Sequence, residues 1–160
     1  MSEAEFLDNV KSNQGIIFKL VGLYANDSEE KKDLYQEILL QAWKGLPSFR
    51  GDAKFSTWLY RICLNTILTQ KRKVNRVNYT DNDTLEIISP TVLNKSVATE
   101  EAVRLRQAMR KLPETDRAIL SLHLDGYENN EIAAMIGITN NHVAVKLHRC
   151  KQQLSNLIKP

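Results

Sequence analysis

Residues 127–151 read YENNEIAAMIGITNNHVAVKLHRCK, a pattern of two helices joined by a tight turn. Ile132 and Ile136 give the first helix an apolar stripe, and Ala133 between them is small enough for another helix to approach closely. Gly137 stands where a helix can end in a left-handed residue without a Cβ penalty. Thr139 can then cap the next helix with its hydroxyl. In that helix Val143, Leu147, Cys150 and Leu154 recur at spacings of four, three and four, one face of a helical repeat. The other face carries Asn140, Asn141, His142, Lys146 and Arg149. This is a helix-turn-helix pattern, and its second helix has side chains suited to a major groove. Asn bridges an adenine edge, Arg or Lys a guanine edge, and either cation binds phosphate. The bland alternative is a helical hairpin with a solvated polar face. The small residue, the glycine and the capped second helix at these spacings favour DNA.

A chain of 160 residues, 42% hydrophobic and with four prolines, has room for one domain or two small ones. Its net charge of +3 is unevenly spread. Residues 50–76 hold seven basic groups against one acidic, whereas residues 77–102 hold five acidic against one basic. Only part of the chain is therefore expected to touch a polyanion. Cys63 and Cys150 lie within apolar helical patterns, so two buried thiols are expected rather than a disulfide, as suits a reducing cytoplasm. The opening MSEAEFLDNV is acidic and poor in apolar residues, unlike a signal peptide. No run approaches the roughly 20 apolar residues of a membrane helix, so no membrane insertion is expected. His142, His148 and Cys150 share a helix without a second ligand cluster, and no phosphate loop or nucleophile elbow is present. No metal, cofactor or catalytic residue is expected, and an enzyme is the poorly supported class.

Toward the N-terminus, residues 5–25 read as a helix with Phe6, Val10, Ile17, Leu20, Val21 and Tyr24 on its apolar side. Gly15 weakens its middle, so two shorter helices are an alternative. Asp27 or Ser28 caps a second helix, in which Leu34, Ile38, Ala42 and Leu46 form the core stripe. Asp33, Gln36 and Glu37 lie opposite, which spacing alone explains as a solvated face. Pro47, Gly51 and Asp52 make residues 45–54 a loop, flanked at its tip by Phe49 and Phe55. A third helix, from Ser56 or Thr57 to about Lys73, carries Trp58, Leu59, Ile62, Cys63 and Ile67 and ends in Lys71, Arg72 and Lys73. Aromatic edges beside a cationic helix suit single-stranded or distorted DNA. A core role for Phe49, Phe55 and Trp58 is equally compatible with the pattern. Residues 77–99 lose the helical period and read as an extended acidic linker. Thr99 opens a further helix, Pro113 breaks it, and Gly126 ends the next one.

These residues carry a resemblance over nearly the whole chain. Residues 33–37 (DLYQE), 49–55 (FRGDAKF), 57–62 (TWLYRI) and Asn65 resemble region 2 of bacterial RNA polymerase sigma factors. Leu112-Pro113-Glu114, Arg117, Glu131-Ile132-Ala133, Gly137-Ile138, Val143 and Leu147-His148-Arg149 resemble their region 4. Two such regions in order with a short linker are similar to the extracytoplasmic-function (ECF) group. His142, Ala144 and Val145 depart from residues common in the recognition helix, which bears on promoter sequence. The resemblance implies an all-α chain of two small helical domains: residues 1–76 as region 2, residues 77–99 as a flexible acidic linker, and residues 100–160 as region 4. It implies binding to the polymerase core, the β′ clamp helices and the β flap, with Asp33, Gln36, Glu37 and Leu40 on the clamp. It implies contact with the minus-ten element by Phe49, Arg50, Lys54, Phe55, Trp58, Arg61, Asn65, Lys71, Arg72 and Lys73. It implies contact with the minus-thirty-five element by Asn140, Asn141, His142, Lys146 and Arg149. An anti-sigma partner, typically membrane-bound in this group, is also implied.

Two other readings compete. A stand-alone DNA-binding regulator accounts for residues 100–160 but not for the acidic helix and loop at 29–55. An adaptor without DNA contact leaves Arg149 and the basic block unexplained. Co-purification with core polymerase at one copy separates the first reading from both.

Overall fold

The computed structural model describes residues 1–77 and 99–158; the expected linker at 77–99 lies almost entirely outside the described residues. The described residues are helical, without strands, and fall into two compact units. The first unit carries α1 (Glu3–Ser12), α2 (Gln14–Tyr24), α3 (Ser28–Gly45), a 3-10 turn (Leu46–Ser48) and α4 (Phe55–Val77). The second carries α5 (Glu100–Arg110), α6 (Glu114–Leu124), α7 (Asn129–Ile136) and α8 (Asn140–Ile158).

The single N-terminal helix does not form. The break falls at Asn13, which closes α1 and opens α2, while Gly15 sits inside α2. The Asn13 side chain donates to the Asn9 carbonyl at 2.7 Å, so a polar side chain competes with the helix for its own backbone partners. Ser2 and Glu5 form a reciprocal capping box on α1. Phe6, Val10, Ile17, Leu20, Val21 and Tyr24 are all buried, as the apolar period requires. Asp27, rather than Ser28, caps α3 by accepting from the Glu30 N–H at 2.8 Å. Leu34, Ile38 and Ala42 are buried, but Leu46 has left the helix for the 3-10 turn and is only half-buried. α4 starts at Phe55 and continues past the expected Lys73 to Val77. Its buried residues Leu59, Tyr60, Cys63, Leu64 and Ile67 close the core against α2 and α3.

In the second unit Thr99 caps α5, accepting from the Ala102 N–H at 3.1 Å. Ala108, Met109, Leu112, Ile119, Leu120, Leu122, Ile132, Val143, Leu147, Cys150 and Leu154 are its core. Each large aliphatic side chain fully buried there stabilises by about 1.5–3 kcal/mol before conformational entropy is counted. Gly137 has φ +89 and ends α7 in the left-handed region, where its N–H reaches the Ala133 carbonyl at 2.8 Å. Thr139 then caps α8 by accepting from the His142 N–H at 3.1 Å. The tight turn thus follows from two residues, one with no Cβ and one with a short hydroxyl.

Candidate functional site

Three helix faces turn away from the two cores: an acidic one on α3, a basic one on α4 and an acid-free polar one on α8. On α3 the core residues Leu34, Ile38 and Ala42 fix the opposite side as Asp33, Gln36, Glu37 and Leu40. Leu40 is 44% exposed in the middle of this acidic stripe, an apolar centre with a polar rim. The same four residues line a groove of about 710 Å³ that also takes in Asn26, Glu29, Glu30 and Gln70. Gln70 comes from α4, 30 or more positions away, a neighbour that no local pattern in α3 signals. Glu37 accepts from the Gln41 amide at 2.9 Å, which steadies the carboxylate at the groove edge. The structure therefore brings together all four residues expected on this surface.

On α4 the helical period decides which cations face out. Arg61, Asn65 and Arg72 share one exposed stripe opposite the buried Leu59, Cys63, Ile67 side, and Lys73 is exposed beside it. Lys71 lies off that exposed stripe. It follows Ile67 by four positions and Leu64 by seven, so it falls on the core side and is 7% exposed. Its ammonium meets the Glu30 carboxylate at 2.8 Å, and the other Glu30 oxygen accepts from the Asn26 N–H at 2.6 Å. Lys71 is an internal strut between α3 and α4, and its charge is spent there.

The loop aromatics take the packing role that their pattern also allows. Phe49, Phe55 and Trp58 are half-buried and pack on one another, with ring centroids 5.1–5.8 Å apart. Phe6 joins them, edge-on to Phe55 at 6.4 Å and to Trp43 at 5.2 Å. Such tilted and edge-on pairs contribute about 0.5–1.5 kcal/mol each beyond burial, so the cluster anchors the loop's ends. What remains exposed is the tip from Arg50 to Lys54, with Gly51 at φ +79. Arg50 and Lys54 are exposed at that tip, outside the ring cluster.

On α8 the buried Val143, Leu147, Cys150 and Leu154 define the inner side. The period of about 3.6 residues puts Asn141, Val145, His148 and Gln152 diametrically opposite, all exposed, with His142 and Arg149 flanking. Asn141, His142 and Arg149 belong to the expected groove-reading set, and Val145, His148 and Gln152 share the same exposed face. Asn140 is exposed at the start of α8 and lines a cleft of about 570 Å³ with His123, Tyr127, Glu128 and Asn129. Lys146 is turned toward the core edge, where its ammonium meets the Asp116 carboxylate of α6 at 3.0 Å with both side chains largely covered. It is the one member of the expected groove-reading set already committed to a carboxylate. No Asp or Glu occurs in α8, so nothing on this helix repels phosphate.

Both cysteines are free and buried. Burial pushes the Cys63 thiol far up, and burial together with the Asp116 carboxylate pushes Cys150 up to about 11. Both are therefore protonated at neutral pH and act as small apolar packing groups. No described helix is long and apolar enough to cross a membrane.

The α8 geometry yields a testable division of labour. If α8 lies in a DNA major groove, Arg149→Ala is expected to lower affinity for every sequence alike and to reduce the salt slope by about one, because Arg149 lies in the third turn, past the end that reaches base edges. Asn141→Ala or His142→Ala is expected to cost about 1–3 kcal/mol at one base position and to relax specificity there. Selection from randomised upstream duplexes checks this; the same sequence logo for wild type and both N-terminal variants contradicts it.

Residues 10–77 match the family model for Sigma-70 region 2, and residues 102–154 match that for Sigma-70 region 4. The chain is 30% identical to the ECF RNA polymerase sigma factor SigM of Mycobacterium tuberculosis over 143 residues, covering 89% of this chain and 71% of that protein. It is 31% identical to the ECF RNA polymerase sigma-E factor of Escherichia coli over 158 residues, covering 90% of this chain and 81% of that one. In fold it is similar to the sigma factor RpoE of Bartonella quintana, solved in complex with the anti-sigma factor NepR. There the TM-score is 0.76 at 18% identity, with 96% of each chain covered. It is also similar to CnrH, solved with the cytosolic domain of CnrY, with a TM-score of 0.68 at 22% identity over 98% of this chain and 89% of that one.

Proposed function

Because the chain belongs to the ECF family of RNA polymerase sigma factors, we propose that its three outward faces divide the work of promoter recognition among them. A sigma factor binds core RNA polymerase, selects promoter DNA and helps to open it; the polymerase performs the chemistry. The reading is carried by one observation. Each family region coincides with a helical unit, and α3, α4 and α8 turn an acidic, a basic and an acid-free polar face away from their own cores.

Residues 1–76 act as region 2. The acidic face of α3, with Leu40 at its centre, binds the clamp helices of the β′ subunit. Arg61, Asn65, Arg72 and Lys73 track the opened strand along α4. The Arg50–Lys54 tip holds a base flipped from the minus-ten element, and the aromatic cluster behind it supplies a rigid wall. Flipping costs a few kcal/mol, which tip and backbone contacts must offset. Residues 77–99 act as the linker between the regions. Residues 100–160 act as region 4, with α8 in the major groove of the minus-thirty-five element and the β flap as its polymerase contact. An anti-sigma protein, of the kind NepR is for its own partner, is the expected regulator.

Co-purification with core polymerase at one copy, followed by in vitro transcription from a pool of genomic promoters, tests the reading as a whole. A chain that binds promoter DNA but never core polymerase is a stand-alone regulator instead. The loop assignment has its own test. Replacing Gly51–Lys54 by a Gly/Ser tip is expected to cut open-complex formation at least tenfold, read by permanganate reactivity of unpaired thymines. Initial duplex binding should stay unchanged, because the tip acts after the duplex is engaged. If a pre-melted promoter fails to rescue the variant, the tip does something other than opening.

A further inference from the structure

We infer that Val145 is a base-reading residue that selects thymine through its C5-methyl group in the upstream promoter element. The inference rests on the proposed docking of α8 in a major groove and names one feature of the sequence read there.

Among the described residues of the second unit, four large apolar ones are well exposed: Leu124, Val145, Leu157 and Ile158. Leu124 is the last residue of α6, and Leu157 and Ile158 are the last two of α8, where a helix end leaves its side chains uncovered. Val145 has no such reason. It lies in the second turn of α8, 41% exposed, on the side diametrically opposite the buried Val143 and Leu147. Its neighbours on that stripe are Asn141 one turn before and His148 one turn after, with Arg149 and His142 alongside. An isolated exposed valine on a protein surface is ordinary. This one occupies the centre of a helix face that is otherwise built of hydrogen-bonding groups and cations.

A major groove floor carries donors and acceptors at every base pair, and its one apolar group is the thymine methyl. A valine placed among hydrogen-bonding readers leaves a donor or acceptor unsatisfied over any other base edge. Over thymine it buries methyl against methyl. Branching at Cβ restricts χ1 in a helix, so little rotamer freedom is lost on contact. Val145 is also near enough to the start of α8 for the part of a recognition helix that reaches base edges.

The experiment uses the full chain assembled with core polymerase. The preferred upstream element is first obtained by selection from randomised duplexes. Each thymine in it is then replaced by deoxyuridine, which removes only the methyl group. We expect one thymine position at which wild type binds the uracil duplex about fourfold more weakly, the effect of one buried methyl. With Val145→Ala that uracil penalty should vanish, while the exposed site leaves the fold intact. If no uracil substitution matters for wild type, or if the penalty persists in Val145→Ala, the inference is overturned. A selected element with no A·T pair at any fixed position overturns it as well. A selection with no upstream preference at all is a different result: it overturns the docking of α8 itself.

Discussion

With Asp33 and Glu37 both replaced by lysine, the chain is expected to bind core RNA polymerase about 100-fold more weakly while keeping its fold, a change of about 2.7 kcal/mol. Asp33 is exposed and Glu37 half-exposed on the side of α3 opposite Leu34, Ile38 and Ala42, so neither supports the core. Surface substitutions of that kind usually alter stability by no more than about 0.5 kcal/mol. An acidic rim around the 44% exposed Leu40 has the anatomy of a protein interface: an apolar centre with charges that set orientation and association rate. Reversal converts attraction into repulsion at two points of a partly desolvated contact, where close charge pairs have measured couplings of about 1.5–7 kcal/mol. The loss should shrink at high salt, since the rim is screened over about 10 Å at 0.1 M. A titration of labelled chain with core enzyme reads the effect, and helical content by circular dichroism monitors the fold. Equal affinity for variant and wild type removes this face from the polymerase interface. Leu40→Ala tests the apolar centre separately in the same titration.

Lys71→Met is expected to destabilise the first unit by about 2 kcal/mol, whereas Arg72→Ala and Lys73→Ala should leave stability unchanged and weaken strand binding. Losing one partner of a buried ion pair costs about 3–5 kcal/mol, because the remaining charge is stranded. Here the discount is real: the Glu30 side chain is 24% exposed and also holds the Asn26 N–H, so solvent screens part of the loss. The double variant Glu30→Leu/Lys71→Met should recover most of the stability, since apolar replacement of both partners is often neutral. Both tryptophans, Trp43 and Trp58, belong to the first unit, so fluorescence during denaturation reports that unit alone. For a unit of this size about 2 kcal/mol lowers Tm by about 10 °C. If Lys71→Met keeps the wild-type Tm but loses promoter opening, Lys71 is a strand contact after all.

Lys71 and the loop aromatics show where helical period stops being informative. Period and caps were legible because they are written within one or two helical turns. The buried stripes of α2, α3 and α8, the caps at Asp27, Thr99 and Thr139, and the left-handed Gly137 all depend on residues at most four positions apart. The break at Asn13 was misplaced to Gly15 because intrinsic helix propensity was weighed there and the side-chain bond from Asn13 to the Asn9 carbonyl was not. Even Lys71 was half-legible, since its spacing from Leu64 and Ile67 puts it on the core side of α4.

Hydrophobic period and capping act through neighbours along one helix, so the described helices, their order and the helix-turn-helix are legible in the residues alone. How separate helices pack decides which cations remain free for a polyanion. Lys71 meets Glu30 across 41 positions and Lys146 meets Asp116 across 30, partners that no helical period relates. The same holds for Phe6 and Trp43, which draw the loop aromatics into one cluster. A long side chain in a basic run has the same local signature whether it faces water or a carboxylate. Which of the two it meets is fixed by how separate helices pack, where burial makes an unpaired charge far costlier than a paired one.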